Sequence, residues 1–237
     1  MTLVEHLAEL RSRIIKVLIA VAVGGVIGFL LYNRVLHLLQ EPYCDVSKRC
    51  TFIVTDPLEG FSIRLKVSAY IGFLIGSPVV LWQLWRFITP ALHPHERRYA
   101  VPFVISGVLL FVMGAVIALI TFPEALKFLV SIGGNSIEPF YTPGKYISLI
   151  IFMMLAFGAG FEFPVLLVFL QLAGILQWRQ LAGWWRYAVI VIFFVDAVIT
   201  PSQDPISLLA LGIPMTVFYG ASILIGRLIQ RDRVRSR

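Results

Sequence analysis

The residue pattern predicts an all-α membrane protein with six transmembrane helices, and three observations lead to this prediction. The chain has 237 residues, of which 59% are hydrophobic and 14% are charged, whereas soluble domains are about 45–50% apolar and about 25% charged. Apolar runs recur at the length that a helix needs to cross a bilayer. Basic residues are concentrated in alternate connections between these runs, as is typical of loops that remain in the cytoplasm.

Four apolar runs are each long enough to cross a membrane, because about 20 helical residues span about 30 Å of hydrocarbon. They are residues 14–32, 67–85, 101–122 and 146–176. Two shorter runs follow, 187–199 and 206–225, separated only by TPSQDP, and the first of them could instead be a re-entrant segment. We favour six crossings with the last two helices short, in one integral membrane domain over residues 1–237.

The basic residues set the predicted orientation. With the N-terminus inside, the cytoplasmic segments hold thirteen of the twenty basic residues and four acids, whereas the other side holds seven bases and seven acids. Both termini are therefore expected in the cytoplasm. Glu5 and Glu9 interrupt the basic region that a cleavable signal peptide would need, so we expect the first helix to be retained.

The connection between the first two runs, about residues 33–66, is expected to fold as an outer cap with short helices. It contains Leu36, Leu39 and Phe61 among other apolar residues at helical or strand spacing. Cys44 and Cys50 stand within it in CDVSKRC. On the oxidising side of a membrane such a pair could form a disulfide, and it could equally remain two free thiols.

Several function classes are disfavoured by the sequence. The net charge of +7 could suggest a nucleic-acid partner, but the charges lie between apolar runs and are better explained by membrane topology. His93 and His95 have no third ligand at a metal-binding spacing, so no metal site is predicted. No phosphate-binding glycine loop or nucleophile elbow is present, and Gly24 and Gly158 lie inside apolar helices, where small residues usually serve close packing. We expect neither an enzyme nor a bound cofactor.

Two acids lie in segments assigned to the cytoplasm. Glu5, Glu9 and Arg13 follow one another at intervals of four on a helix, so the simplest interpretation of Glu9 is an ion pair with Arg13 worth about 0.2–0.5 kcal/mol. Glu96 lies in FITPALHPHERRYAVP, between the second and third runs. Considered alone, Glu96 is explained by a solvated turn that contains glutamate and arginine.

Two further acids lie inside apolar runs. Glu162 is near the middle of residues 146–176, and Asp196 is in VIVIFFVDAVITP. An ionised carboxylate at the bilayer centre costs at least about 2.5 kcal/mol, so such residues are usually functional, although a structural polar contact between helices remains open. A proton-coupled secondary transporter using Glu162 and Asp196 is the alternative function, and a passive scaffold is a weaker one.

Five segments, taken together and in order, resemble the TatC family, the receptor subunit of the twin-arginine protein translocase. They are HLAELRSR (6–13), PLEGFSIRLKVSAY (57–70), SPVVLWQLWRFITPALHPHERR (77–98), FGAGFEFPV (157–165) and ITPSQDPISLLALGIPM (199–215). The resemblance implies a cup-like bundle of six helices with both termini inside. It also implies recognition of the Arg-Arg motif in signal peptides of folded cargo, at the cytoplasmic face of a bacterial-type inner membrane.

The resemblance assigns roles to particular residues. Family members bind the Arg-Arg motif with two cytoplasmic acids, which correspond to Glu9 and Glu96, and carboxylates suit a guanidinium because the pair forms two parallel hydrogen bonds. Neighbouring residues are expected to orient these carboxylates or to shape the peptide site: Arg11, Arg97, Arg98, Phe87 and Pro90.

Partners follow from the same resemblance. Glu162 matches the family's intramembrane glutamate, and we expect it to contact a partner helix or the cargo. The implied partners are single-helix subunits of the TatA and TatB type, the lipid bilayer and further copies of the chain in a homo-oligomer. Asp196 and the cysteine pair depart from the family pattern.

Overall fold

Every residue that has regular secondary structure in the described part of the chain is helical. The computed structural model describes residues 3–46, 52, 54, 56–88, 100–132 and 142–235. The helices within these ranges are α1 (Leu3–Val46), α2 (Glu59–Ile88), α3 (Ala100–Ile132), α4 (Pro143–Leu172), α5 (Trp178–Gly183), α6 (Trp185–Ile199) and α7 (Pro205–Arg235). The prediction of an all-α protein is confirmed.

Five of these helices are long and apolar enough to cross a membrane. Their candidate spans are Ala8–Cys44, Glu59–Phe87, Val101–Ile132, Pro143–Leu172 and Pro205–Gln230. The helix α6 has 15 residues, so its length of about 22 Å is less than the roughly 30 Å of hydrocarbon. The last helix differs from the expected 206–225, because α7 continues to Arg235 and is 31 residues long. The expected shortness therefore applies to α6 alone.

The helices α1 and α2 form a close antiparallel pair through glycines. A Cβ at Gly72 of α2 would lie 2.5 Å from the backbone oxygen of Val21 and 2.7 Å from the backbone nitrogen of Gly25. From the other side, a Cβ at Gly24 would lie 2.8 Å from the backbone oxygen of Gly72. Lipid provides no hydrophobic drive for helices to associate, so such close backbone contact carries much of the attraction.

The connection between α1 and α2 differs from the expected outer cap of short helices. The helix α1 continues to Val46 and α2 begins at Glu59, so long helices extend into the segment predicted as a loop at 33–66. The cause is packing: Leu39 and Tyr43 are buried, Tyr43 stacks on Phe52 with ring centroids 4.5 Å apart, and the Tyr146 hydroxyl donates to the Leu39 carbonyl.

The cysteine question left open by the sequence has an answer at Cys44. This residue is disulfide-bonded, and Cys50 is the only other cysteine of the chain. Cys44 follows Tyr43 near the end of α1, so the bond begins beside the aromatic group of Tyr43, Phe52 and Tyr146.

The centre of the core lies on α4. Its Tyr146, Ile150, Phe157 and Phe161 are fully buried between α3 on one side and α7 on the other. The helix ends at Leu172, before the predicted 176, because Gly174 adopts a left-handed φ of 72°. The amides of Ile175 and Leu176 then donate back to the Leu170 carbonyl, which closes the helix.

Candidate functional site

The carboxylate of Glu9 is held in place on α1 by Arg13. The Nε and Nη2 atoms of Arg13 donate to Glu9 Oε1, the former at 3.1 Å, and the side chains of Arg13 and Glu9 are 14% and 24% exposed. Arg13 Nη1 also donates to Gln83 Oε1 of α2, at 3.4 Å. The ion pair that the sequence suggested is therefore present, and it also connects α1 to α2.

The rest of the expected peptide site is partly described. Phe87 is half-buried near the end of α2, and Arg11 is exposed on α1. Arg11 makes no ion pair with a residue whose side chain the structure describes, whereas Arg13 binds Glu9. The remaining site residues of the prediction, Pro90, Glu96, Arg97 and Arg98, lie outside the described residues, as do His93 and His95.

This arrangement presents a fixed carboxylate among cations. The Oε1 atom of Glu9 accepts from Arg13. The helix register places Glu9 close to the end of α2, which leads directly into the segment that carries Glu96.

Glu162 lies on α4 where that helix faces α2 and α3. A Cβ at Gly107 of α3 would be 3.0 Å from Glu162 Oε2 and 3.0 Å from Leu81 Cδ1 of α2. Gly107 therefore leaves the space that the carboxylate occupies. Glu162 is half-buried, and its Oε1 atom has no hydrogen-bond partner in the described part of the chain. A polar acceptor in a span without a partner is suited to a donor from another helix.

Asp196 occupies a different part of the bundle. It is 1% exposed on α6, a helix that packs mainly on α7, and its backbone carbonyl accepts from the hydroxyl of Thr200. Farther along, Asp204 Oδ1 accepts from the Ser207 amide at 2.7 Å and so caps the start of α7. The Glu162 carboxylate therefore faces α2 and α3, whereas Asp196 lies on a helix that packs mainly on α7.

Two glutamines, one half-buried and one fully buried, were not anticipated from the sequence. The Gln83 side-chain oxygen accepts a hydrogen bond from Arg13. Gln171 is fully buried, and its Nε2 donates to the Ser222 carbonyl of α7 at 3.0 Å. Both glutamines are polar residues within apolar runs, at QLW and FLQ, and this isolated polarity could have marked them in the sequence. Among the described residues, no group of three His, Cys, Asp or Glu side chains is arranged to hold a metal ion.

Sequence comparison finds relatives over almost the whole chain. The sequence model of the family described as Sec-independent protein translocase protein (TatC) matches residues 5–214. The chain is 42% identical to the Sec-independent protein translocase protein TatC of Frankia casuarinae, over 99% of this chain and 68% of the relative. It is 39% identical to the protein of that name from Aquifex aeolicus, over 98% of each chain.

Structural comparison agrees with the sequence comparison. A crystal structure of the twin-arginine translocase receptor TatC, obtained in DDM, superposes with a TM-score of 0.76 at 38% identity, covering 93% of this chain and 99% of that one. A second crystal structure of the same receptor gives a TM-score of 0.74, again at 38% identity, over 94% of this chain and 98% of the other.

Proposed function

The chain belongs to the TatC family of Sec-independent protein translocase proteins, and on that premise we propose that it binds twin-arginine signal peptides through Glu9 and Glu96. It is a multi-pass membrane component of protein transport and not an enzyme. The proposed ligand is the Arg-Arg motif of a folded cargo protein, and the proposed place is the cytoplasmic face of a bacterial inner membrane.

The observation that carries the proposal is the ordered carboxylate of Glu9 at the junction of α1 and α2. Arg13 fixes it by two donors on one oxygen and is itself tied to Gln83. Because the carboxylate is already held in place, peptide binding has a smaller entropic cost. The family's second acid corresponds to Glu96, so two adjacent arginines would each meet a carboxylate.

Charge explains how such a site selects its ligand. The segments assigned to the cytoplasm carry thirteen basic residues and four acids, so a cationic peptide is repelled by most of this surface and attracted at the acids. An arginine can form two parallel hydrogen bonds with a carboxylate, whereas a lysine ammonium acts as a point charge. We therefore expect Arg-Arg to bind better than Lys-Lys. The proposed roles of Arg97, Arg98, Phe87 and Pro90 are to orient and shape this site.

The proposed orientation has both termini in the cytoplasm. The distribution of basic residues supports it. The disulfide at Cys44 supports it as well, because disulfides persist in oxidising compartments and Cys44 is the last residue of the first candidate span. In this orientation Glu9 and α5 lie on the cytoplasmic side and the aromatic group around Tyr146 lies on the outer side.

Glu162 is the proposed contact for a partner helix or for cargo. Its carboxylate lies against Gly107, at the meeting of α2, α3 and α4, and it has an acceptor without a partner among the described residues. Single-helix subunits of the TatA and TatB type are the proposed partners, within a complex that contains more than one copy of this chain. The transporter alternative is not favoured, because the Glu162 carboxylate lies against α2 and α3, whereas Asp196 is on α6, which packs mainly on α7.

The test is photo-crosslinking of a twin-arginine signal peptide to the chain in native membranes. Replacing Glu9 or Glu96 with Gln is expected to reduce the crosslink, and Glu162→Gln is expected to leave it largely intact. A solute transport assay on the reconstituted chain separates the alternative, because a receptor of this kind carries no small solute across the bilayer.

A further inference from the structure

A cationic aromatic cluster lies where α5 meets α7, on helices that carry neither Glu9 nor Glu162. The Cζ atoms of Arg179 and Arg227 lie 5.6 Å and 5.4 Å from the centre of the Trp178 ring. The two guanidinium groups are therefore at most about 11 Å apart, the sum of these distances. Neither arginine forms an ion pair with an acid whose side chain the structure describes. We call these three residues the Trp178 cluster.

Hydrogen bonds from α7 fix the position of the Trp178 cluster. Gln230 Oε1 accepts from the Trp178 amide at 3.4 Å, and Gln230 Nε2 donates to the Leu176 carbonyl at 3.1 Å. The Tyr219 hydroxyl donates to the Leu181 carbonyl at 2.7 Å. Because α5 is tied to α7 at Trp178 and at Leu181, the indole ring stays near both arginines.

The Trp178 cluster lies at the surface of the membrane. The apolar span of α7 ends at Gln230, the residue that binds the Trp178 amide. Trp184 and Trp185, which follow α5, are 51% and 53% exposed, and exposed tryptophans at the ends of spans are typical of the headgroup layer. Arg179 and Arg227 are exposed as well, so a headgroup can reach both.

We propose that the Trp178 cluster binds the phosphate of an anionic phospholipid, with phosphatidylglycerol as the simplest example. Two like charges held near one ring repel each other unless an anion lies between them. A phosphate oxygen pair matches the donor geometry of a guanidinium, and anionic headgroups attract arginines at the bilayer surface. The bound lipid would anchor the corner between α5 and α7 to the bilayer.

The experiment titrates lipid into the purified full-length chain in neutral detergent micelles and follows the thermal unfolding temperature. The probes are phosphatidylglycerol and phosphatidylcholine with the same acyl chains. Phosphatidylglycerol is expected to raise the unfolding temperature of the wild-type chain at lower lipid content than phosphatidylcholine does. In R179Q/R227Q the apparent affinity for phosphatidylglycerol is expected to fall about tenfold or more, since both guanidinium groups proposed to bind the headgroup phosphate are lost.

The matched control is R34Q/R186Q, which removes the same charge from exposed positions and leaves the Trp178 cluster intact. It is expected to keep the wild-type affinity within about twofold. An equal loss in both double variants would mean that net charge alone attracts the lipid, and would overturn the proposal. Equal effects of the two lipids would overturn it too. If inorganic phosphate in solution competes away the phosphatidylglycerol effect, the site binds free phosphate and the lipid assignment is wrong.

Discussion

Replacing Gly72 with Ala tests whether the close approach of α1 and α2 supports the Glu9 site. The added Cβ would lie 2.5 Å from the Val21 oxygen, 2.7 Å from the Gly25 nitrogen and 2.9 Å from the Gly25 Cα. All three are backbone atoms, so no change of rotamer relieves the overlap. The two helices must move apart, and Arg13 and Gln83, which bridge them at 3.4 Å, must move with them.

The magnitude follows from two opposing effects. Overpacking a tight contact costs about 1–3 kcal/mol, and the upper part of that range applies here because three backbone atoms are involved. Against this, alanine is favoured over glycine inside a helix by up to about 1 kcal/mol. We therefore expect a net loss of about 1–2 kcal/mol in the free energy of unfolding.

The assay is reversible unfolding in mixed micelles, with peptide crosslinking measured in parallel. Gly220→Ala is the matched control, because a Cβ at Gly220 meets nothing within 4 Å, and it is expected to leave stability unchanged or raise it by up to about 1 kcal/mol. The signal-peptide crosslink is expected to weaken in Gly72→Ala and not in Gly220→Ala. Equal stabilities of Gly72→Ala and Gly220→Ala would refute the inferred backbone contact.

Three further predictions concern Glu162 and the disulfide. Glu162→Ala is expected to impair copurification with the single-helix partners while peptide crosslinking persists. Glu162→Gln is expected to have a milder effect, because its amide still forms hydrogen bonds. Loss of the crosslink with intact partner contacts would instead assign Glu162 to the cargo site. Gly107→Ala, whose Cβ would lie 3.0 Å from Glu162 Oε2, is expected to displace the carboxylate and reproduce the Glu162→Ala defect, and normal copurification would contradict this. Cys44→Ser is expected to lower the free energy of unfolding by about 2 kcal/mol for the loss of a short disulfide loop. In intact cells a membrane-impermeant thiol reagent should label the wild-type chain only after reduction; labelling without reduction would count against the disulfide, and no labelling after reduction would count against the orientation.

Hydropathy predicted the membrane helices well, and their ends less well. The runs at 14–32 and 101–122 lie within α1 and α3, because the bilayer requires long apolar stretches that composition reveals directly. The continuation of α1 to Val46 depends on contacts of Leu39 with Tyr146 and of Tyr43 with Phe52. These partners are distant in sequence, so periodicity alone could not reveal them.

The candidate site was predictable in residue type and not in its contacts. Periodicity gave the pair of Glu9 and Arg13, and the family resemblance alone gave the pairing of Glu9 with Glu96 in one site. Gln83 was missed because the register between α1 and α2 places it beside Arg13, and glycine contacts along both helices set that register. The space that Gly107 leaves for Glu162 was missed because it depends on how α3 packs against α4, which the sequence pattern does not show.

The most direct test of the receptor proposal compares a twin-arginine peptide with its Lys-Lys counterpart on two charge-matched double variants. In E9Q/E96Q, peptide binding in membranes is expected to fall at least about tenfold, since hydrogen bonds to charged groups contribute about 1.5–3 kcal/mol each, and the preference for Arg-Arg should disappear. In E41Q/E124Q, which alters two exposed acids elsewhere, affinity and preference should both remain. Wild-type crosslinking of the Arg-Arg peptide in E9Q/E96Q would contradict the assignment of the signal-peptide site to these carboxylates.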